Sequence, residues 1–478
     1  MPFIGVDVSR DLHPLDYIHS LKEAGIACFG AEKVFWNDIE PASASGYRWT
    51  VYDDAVKKIE AAGGDILPTI WCVSSWATEK PSIGNPSSMP QNKFRQRYYD
   101  FIRAFVERYD GDGISDMPGL KRGHHYLQIE DEAQNLGDSW IASQALDIYK
   151  SDSMQYYRYA AKEYGEMLRS AYSAAHTANP HSKIISFSFN FGDYFNRNPS
   201  EVFETNPRMA FLNEIMINYN RYFDIIGVQA NYSYTGIPVM IQYLRSRYAL
   251  QKPVLCADAA SMPMIGQYQF EKPDQYEEIY PYLKDKTILA ILDKGPEHPR
   301  YAEIKLWWEK EKAILCVKKA VIAAGAGAEQ ISFQFMQTWR GSGSAWLHSD
   351  LLSSGPQMGD AEPEGTPRPA VFALGQLIRK VDNFVTIENM NPLPPGEDPY
   401  SWNWIYRWKN NGKYSYIAWN ETIKNTIDFR SLVSSEQVTL TPIITKMDSD
   451  NNPEMQEPFY RNTAAIPIGS IPVYIEVK

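Results

Sequence analysis

The sequence has little cysteine, no long hydrophobic run and no dense stretch of basic charge, and each absence excludes a class of protein. Only 4 of its 478 residues are cysteine. No two cysteines form a C-x-x-C pair and each lies in an apolar run, which argues against a disulfide framework or a cysteine metal site. No apolar run reaches the roughly 18 residues that suggest a membrane-spanning helix. The net charge of −11, without a basic run, makes nucleic acid and membrane surfaces poor candidates as partners.

Several catalytic and targeting signatures are missing as well. The chain contains no His-Glu-x-x-His run, no Gly-x-Ser-x-Gly elbow and no P-loop, which disfavours a zinc protease, an α/β-hydrolase and a nucleotide site. The first residues lead straight into an apolar run without a charged segment before it, so no signal peptide is expected and a cytoplasmic protein is the default. A secreted protein from which the leader has been trimmed would read the same. No cofactor and no metal is implied, and the oligomeric state is left open.

Aromatic residues, by contrast, are abundant. They make up 13% of the chain, with 13 Trp and 31 Tyr. Core packing accounts for most aromatic side chains in any protein, but exposed aromatic faces also serve as platforms for sugar rings. A chain of this length with 44% hydrophobic residues can bury a large core, and one large domain followed by a smaller one is the natural expectation.

Short apolar runs alternate with helical patterns over the first four-fifths of the chain. Strand–helix alternation repeated eight times is typical of a closed parallel barrel. The sequence therefore predicts an α/β fold, a (β/α)8 TIM barrel, over residues 1–385. The eight predicted strands are Phe3–Val8, Ala27–Phe35, Asp65–Trp71, His125–Ile129, Lys183–Phe189, Asp224–Ala230, Pro253–Ala257 and Gln330–Phe335.

The pattern changes after residue 385. Helical periodicity ends, prolines punctuate a loop, and short aromatic or β-branched runs follow. Such runs separated by turn residues favour antiparallel strands. We therefore predict a C-terminal all-β, sandwich-like domain over residues 386–478, with strands at Trp404–Trp408, Tyr414–Trp419, Val438–Ile443 and Val473–Val477.

Polar and aromatic residues stand at the carboxyl ends of several predicted barrel strands. In a parallel barrel these ends meet at one mouth, where barrel enzymes keep their catalytic groups. The fourth strand breaks off into consecutive carboxylates at 130–132, and the seventh ends in another. Two carboxylates across a mouth lined by aromatic rings can cleave a glycosidic bond. The candidate site residues are Trp36, Trp71, Asp131, Glu132, Asn231, Tyr232, Asp258 and Trp339.

Motifs in order along the chain resemble those of clan A glycoside hydrolases, of the kind related to families 39, 5 and 42. Residues 35–41, FWNDIEP, are similar to the clan's second-strand signature, and 128–132, QIEDE, stand where the clan has an Asn-Glu pair. Residues 252–258, KPVLCAD, resemble the element that carries the nucleophile. The segments 369–374, PAVFAL, and 472–476, PVYIE, resemble a helix after the barrel and the last strand of a C-terminal β domain.

The resemblance implies a glycosidase that acts on a carbohydrate and uses two catalytic carboxyl groups. Glu132 would be the acid/base and Asp258 would stand at the nucleophile position of a retaining mechanism. Asp131 would hold a sugar hydroxyl, while the tryptophans would stack on the sugar ring. The clan's His-x-Tyr element reads Gln229-Ala230-Asn231 here, so the tyrosine that normally supports the nucleophile is displaced or replaced.

One departure leaves alternatives open. The clan's nucleophile is Glu, whereas this chain has Asp258, whose side chain is shorter by one methylene, about 1.5 Å. A shorter side chain increases the distance between the two carboxyl groups, from the value typical of retaining enzymes towards the larger value of inverting enzymes. The alternatives are an inverting glycosidase and a carbohydrate-binding barrel that has lost catalysis. A different carboxylate reaction on the same barrel is a third, because a barrel alone does not define a reaction.

The acidic segment 110–116, DGDGISD, has two interpretations. Its spaced aspartates suggest a calcium loop, but the full set of EF-hand ligands is missing, with no Glu at the twelfth position. A glycine-rich turn before the fourth strand is the favoured interpretation.

Overall fold

The computed structural model describes most of the chain. The described residues are 2–8, 13–78, 89–133, 152–189, 207–230, 234–259, 291–292, 294–334, 348, 350–358, 360–381, 383–394, 397–399, 401–410, 412–421, 425–433, 435–448 and 452–477.

Eight parallel strands close into a barrel in sequence order, with β1 paired to both β2 and β8. This confirms the predicted TIM barrel. Apolar residues on both faces of the strands explain the result, because parallel strands are covered on both sides. The strands are β1 (Ile4–Val8), β2 (Cys28–Phe35), β3 (Asp65–Trp71), β4 (Tyr126–Ile129), β5 (Lys183–Phe189), β6 (Ile225–Gln229), β7 (Val254–Ala259) and β8 (Gln330–Phe333).

Helices alternate with these strands. Local sequence fixes several of their ends: the Asp152 side chain caps one helix by accepting from the Gln155 backbone N–H, and Pro369 opens another at its first position, where proline is tolerated. The described helices are α1 (Ile18–Glu23), α2 (Trp36–Ile39), α3 (Thr50–Ala61), α4 (Arg95–Tyr109), α5 (Ser153–Ala178), α6 (Pro207–Asn218), α7 (Gly236–Tyr248), α8 (Tyr301–Gly325) and α9 (Pro369–Lys380). No helix in the described ranges is long and apolar enough to cross a membrane.

The interior of the barrel is largely apolar at its base, apart from the buried side chain of Gln330, and more polar towards its mouth. An inner cluster of Cys28, Leu67, Ile185, Ile225, Leu255 and Ala257 packs inside the barrel. Further along the strands, small or polar residues replace these large side chains, including Gly30, Ser188 and Ser332. The change leaves room for a pocket that begins at the strand ends and extends into the barrel.

The C-terminal region is all-β, as predicted. A six-stranded sheet has the order β14-β13-β16-β11-β10-β9, and β12 pairs with β15. All its pairings are antiparallel. The strands are β9 (Glu388–Asn389), β10 (Trp404–Asn410), β11 (Lys413–Trp419), β12 (Asn425–Ile427), β13 (Gln437–Pro442), β14 (Phe459–Asn462), β15 (Ile466–Ile468) and β16 (Val473–Val477).

One hydrophobic core joins the two regions. Trp404, Trp408 and Trp419 of the sheet are buried in the same cluster as the barrel's helices. The indole N–H of Trp408 also donates a 2.7 Å hydrogen bond to the carbonyl of Lys380, at the end of α9. The proposed boundary at 385/386 lies in the short 3-10 turn Phe384–Thr386, and it stays a prediction.

Candidate active site

A pocket lies inside the barrel and at its mouth. Residues from β1, β2, β3, β5, β7 and β8 contribute to its wall, together with residues in and just after β4. Three of its lining side chains are carboxylates, which come from three different parts of the barrel. The lining residues are Asp7, Gly30, Leu67, Thr69, Trp71, Gln128, Asp131, Ser188, Leu255, Ala257, Asp258 and Ser332.

The first of the three carboxylates after β4, Glu130, is a structural acid. Its side chain is fully buried, and its Oε1 accepts a 2.6 Å hydrogen bond from the backbone N–H of Cys72. Burial raises the pKa of the Glu130 carboxyl well above its usual range, because removal from water disfavours the charged form. Burial therefore favours the neutral form of Glu130, and its contact with Cys72 joins the end of β4 to the residue after β3.

The next two carboxylates face a different environment. Asp131 lines the pocket and accepts a hydrogen bond from the hydroxyl of Ser188 at the end of β5. Glu132 is half-buried, and the described lining includes Asp131 but not Glu132. The structure thus separates the acidic run into one buried residue, one pocket residue and one partly exposed residue at the mouth.

Asp258 approaches the same pocket from β7. Its side chain is buried, with 6% exposure. Its Oδ2 accepts a 2.8 Å hydrogen bond from the amide Nε2 of Gln229, which ends β6. Gln229 is the first residue of the segment compared with the clan's His-x-Tyr element, and its amide fixes one oxygen of this carboxylate.

Backbone strain concentrates at these strand ends. Glu130, Glu132 and Asp258 all have positive φ angles, of 61°, 45° and 47°. Left-handed backbone costs roughly 1–3 kcal/mol for a residue other than glycine, and such strain clusters at functional sites. Three of the six described non-glycine residues with positive φ are thus acidic residues at the mouth. The fold supports an unfavourable backbone in order to hold these carboxyls.

The two predicted aromatic residues that the structure describes differ in position. Trp71 ends β3 and lines the pocket, where its ring can contact a ligand. Trp36 is fully buried: its N–H donates to Glu40, and its ring stacks at 5.8 Å on Phe101. The assignment of Trp36 to substrate binding is therefore wrong, because α2 carries its ring into the core. Of the remaining predicted contacts, Asn231, Tyr232 and Trp339 lie outside the described residues.

Sequence reasoning assigned no role to Asp7, Ser188, Gln229 or Ser332, although each belongs to or supports the pocket. A signal for Asp7 was present, since it is the one charged residue inside the apolar strand 4–8. An aspartate on a parallel barrel strand, where both faces are covered, requires a polar partner or a ligand. The serines gave no comparable signal, because a small polar residue fits a strand without special cause.

The acidic segment 110–116 lies between α4 and β4, at the end of the barrel opposite the mouth. Carboxyl oxygens of Asp110, Asp112 and Asp116 lie within 4.8 Å of one another. Asp116 accepts hydrogen bonds from the backbone N–H groups of Gly111 and Gly113. These bonds form the glycine-rich turn that the sequence favours. Burial raises the pKa of the Asp110 carboxyl to about 6, and the charges of Asp112 and Asp116 add to this shift.

Solved glycoside hydrolases are similar to the chain over nearly its whole length. A family 39 glycoside hydrolase from the gut symbiont Bacteroides cellulosilyticus WH2 has a TM-score of 0.57 at 12% identity, covering 99% of this chain and 80% of that one. A family 30 endoxylanase from Clostridium papyrosolvens C71 has a TM-score of 0.54 at 10% identity, covering 100% and 96%. A family 39 β-xylosidase from Caulobacter crescentus has a TM-score of 0.51 at 11% identity, covering 100% and 96%.

At these identities the likeness establishes the fold alone. It confirms the predicted resemblance to clan A glycoside hydrolases at the level of a TIM barrel with a C-terminal β region. No protein-family sequence profile and no curated protein sequence matches the chain.

Proposed function

We propose that the chain is a glycoside hydrolase that cleaves O-glycosidic bonds with two carboxyl groups. The observation that carries the proposal is the pocket itself, which Asp258 lines together with Asp131, the residue next to Glu132, and with Trp71. Paired acidic groups beside an aromatic face suit a reaction in which a sugar ring is held while positive charge develops at its anomeric carbon.

Glu132 is the proposed acid/base. It protonates the departing glycosidic oxygen in the first step and removes a proton from water in the second. Its place after β4, next to the pocket residue Asp131, and its strained backbone support this role. Asp131 accepts a hydrogen bond from a sugar hydroxyl, and Ser188 holds its carboxylate in place.

Asp258 is the proposed nucleophile of a retaining mechanism. Its carboxylate attacks the anomeric carbon as the glycosidic bond breaks, and water then displaces it from the covalent glycosyl-enzyme. The hydrogen bond from Gln229 supports the role by fixing one oxygen. Because aspartate is shorter than glutamate, an inverting reaction with Asp258 as the base for water is the alternative.

The pocket and the named neighbours support a carbohydrate as the substrate. The family 30 neighbour is an endoxylanase and one family 39 neighbour is a β-xylosidase. For this chain we infer a carbohydrate substrate, with pentosides as the first class to examine. No cofactor takes part in the proposed reaction.

Hydrolysis of a panel of aryl glycosides, including β-xylosides, tests the proposal. The wild type is compared with Glu132→Gln and Asp258→Asn, and NMR follows the anomer that is released first. Two exposed acidic residues, Asp54 on α3 and Glu436 beside β13, supply matched controls as Asp54→Asn and Glu436→Gln.

Retention of configuration, lost activity in both site variants and normal activity in both controls would support the two-step mechanism. Addition of azide to Asp258→Gly would then trap a glycosyl azide of inverted configuration. Inverted product from the wild type would instead make Asp258 a base for water. Sugar binding without any turnover would identify a carbohydrate-binding barrel that has lost catalysis.

A further inference from the structure

The hydroxyl group of Tyr164 lies between the strands β4 and β5. Tyr164 belongs to α5, one of the helices around the barrel, and its side chain is fully buried. The hydroxyl donates a 2.8 Å hydrogen bond to the carbonyl oxygen of Ile129, the last residue of β4. It accepts a 3.0 Å hydrogen bond from the backbone N–H of Phe187 on β5. One side-chain oxygen from a helix therefore joins two neighbouring strands of the barrel.

Direct pairing between β4 and β5 ends just before this point, at Gln128 and Ile185. Beyond it, Ile129 still pairs with β3, while the register of β5 against β6 shifts between Ile185 and Ser188. Backbone N–H and carbonyl groups that are buried need hydrogen-bond partners. The Tyr164 hydroxyl supplies both partners at the place where the ladder between β4 and β5 has stopped.

The inserted hydroxyl sets the distance between the two strand ends. In a continuous ladder a single N–H···O bond of about 2.9 Å joins neighbouring strands. Here two hydrogen bonds in series, through the Tyr164 oxygen, connect the N–H of Phe187 to the carbonyl of Ile129, so these two groups are further apart. The Tyr164 ring packs edge-to-face on Phe187 at 5.1 Å and tilted against Phe211 at 5.9 Å. This packing fixes the position of the hydroxyl.

The two joined residues lie next to residues of the pocket. Ser188 follows Phe187 directly, and its hydroxyl donates a hydrogen bond to Asp131, two residues after Ile129. Asp131 and Ser188 both line the pocket. The contact between them therefore depends on the spacing that Tyr164 imposes one or two residues earlier in each strand. Burial raises the pKa of the Tyr164 hydroxyl well above its usual range, so the group keeps the proton that it donates.

We propose that Tyr164 is a positioning residue, which sets the spacing of the β4 and β5 ends and thereby places the Asp131 carboxylate in the pocket. This inference rests on the proposed function, in which Asp131 binds a sugar hydroxyl, and adds to it a residue that touches no substrate. A purely structural Tyr164 would stabilise the barrel, but the effect of its hydroxyl on the reaction would not depend on Asp131.

The test compares Tyr164→Phe with the wild type on the aryl glycoside that is cleaved fastest, with Asp131 present and with Asp131→Ala. Tyr164→Phe removes one oxygen atom and allows the strand ends to move. A misplacement of about 1 Å can lower a rate by about 100-fold. We therefore expect kcat and kcat/KM to fall together by about 10- to 100-fold, because hydrogen bonds to a sugar hydroxyl strengthen in the transition state. In the Asp131→Ala background the further loss should shrink to about threefold or less.

The matched control is Tyr98→Phe on α4, the helix that packs against α5. The Tyr98 side chain is also fully buried, and its hydroxyl has no hydrogen-bond partner in the part of the chain that the structure describes. This variant should keep the wild-type kcat, because no hydrogen bond is lost. Circular dichroism and melting temperature check that each variant is folded, and all kinetics are measured well below the melting temperatures.

Ser188→Ala is a second variant, which keeps the Tyr164 bridge and removes only the hydroxyl that contacts Asp131. It should also lower kcat, and this loss should also shrink in the Asp131→Ala background. Equal losses of Tyr164→Phe with and without Asp131, or no loss at all, would overturn the proposal. If Tyr164→Phe does not fold, Ser188→Ala decides: an unchanged kcat would overturn the proposal, and a loss that requires Asp131 would support it.

Failure of the proposed hydrolysis is distinguishable from failure of this inference. If the wild type cleaves none of the glycosides, crystal structures of the wild type and Tyr164→Phe replace kinetics as the measurement. A changed distance between the Ile129 carbonyl oxygen and the Phe187 nitrogen, with Asp131 moved away from Ser188, would retain Tyr164 as the residue that positions Asp131. Unchanged positions of these atoms would overturn the inference.

Discussion

The amide Nε2 of Gln229 donates a hydrogen bond of 2.8 Å to Oδ2 of Asp258, and thereby joins the carboxyl ends of β6 and β7. A carboxylate at the nucleophile position needs a fixed orientation, and an amide donor stabilises its charged form.

Gln229→Ala should lower kcat by about 10- to 30-fold, since a hydrogen bond to a charged group contributes about 1.5–2 kcal/mol. Gln229→Glu keeps the size but places a second carboxyl beside Asp258, and like charge raises the pKa of such a pair. The acid limb of the kcat/KM profile should therefore move to higher pH in Gln229→Glu. Steady-state kinetics between pH 4 and 8 measures both effects. An unchanged profile would contradict a role for Gln229 in holding the nucleophile.

Ala249 follows α7 with a left-handed backbone, at φ 50°. Glycine adopts this conformation without the steric cost that a Cβ atom imposes, and it is the preferred residue at such a helix end. Ala249→Gly should therefore raise the free energy of unfolding by about 1 kcal/mol. Urea denaturation measures the change, and activity should stay at the wild-type level. Destabilisation would show that the greater conformational freedom of glycine in the unfolded chain outweighs the backbone cost of Ala249.

His124 makes stability depend on pH. Burial lowers the pKa of its imidazole from 6.5 to about 4, and its ring stacks on Tyr109. Between pH 6.5 and 4 the unfolded chain binds this proton and the folded chain does not, so stability falls as the pH decreases. The loss amounts to about 3 kcal/mol by pH 4. His124→Phe keeps the stacked ring but cannot be protonated.

Urea denaturation of both proteins at several pH values isolates this effect, because other groups contribute equally to each. The wild type should lose stability relative to His124→Phe between pH 6.5 and 4, and the difference should be constant above pH 7. Parallel curves across the acidic range would contradict a lowered pKa of the His124 imidazole in the folded protein.

Arg368 holds together a buried group of charges beside α8. Its Nε lies 2.8 Å from Asp350, its Nη2 lies 2.8 Å from Asp360, and its Nη1 lies 3.2 Å from Glu309. Arg368→Ala leaves these carboxylates buried with less compensating charge, so it should lower the free energy of unfolding by about 3–5 kcal/mol. The matched control is Arg407→Ala, which breaks an exposed pair with Glu388 and should cost about 1 kcal/mol or less. Similar losses in the two variants would refute this account.

The barrel could be predicted from the sequence because its signal is repeated. All eight predicted strands overlap observed strands, since each covered strand is an apolar run of the proper length. The short strands β9, β12, β14 and β15 escaped prediction. Two to four residues are too few to show an alternating pattern, and their pairing depends on partners distant in the chain.

The site could be predicted less completely, because the end of a strand shows which residues lie near the mouth but not where their side chains point. The sequence shows that acidic residues follow β4. It does not show that Glu130 is buried while Asp131 lines the pocket, because this depends on the backbone angles at the end of the strand. Trp36 illustrates the same limit. It follows β2 as expected, but the short helix α2 turns its ring onto α4 and away from the mouth.

The tryptophans of the C-terminal sheet belong to the same core as the barrel helices. This shared core limits which substitutions either region tolerates. The ring of Tyr406 lies against Gly325 at the end of α8, where a residue with a Cβ atom would not fit. The barrel could not be transferred to another protein without its sheet, nor the sheet exchanged for an unrelated one, unless both faces changed together. A substitution on one side of this shared core therefore requires a matching substitution on the other side.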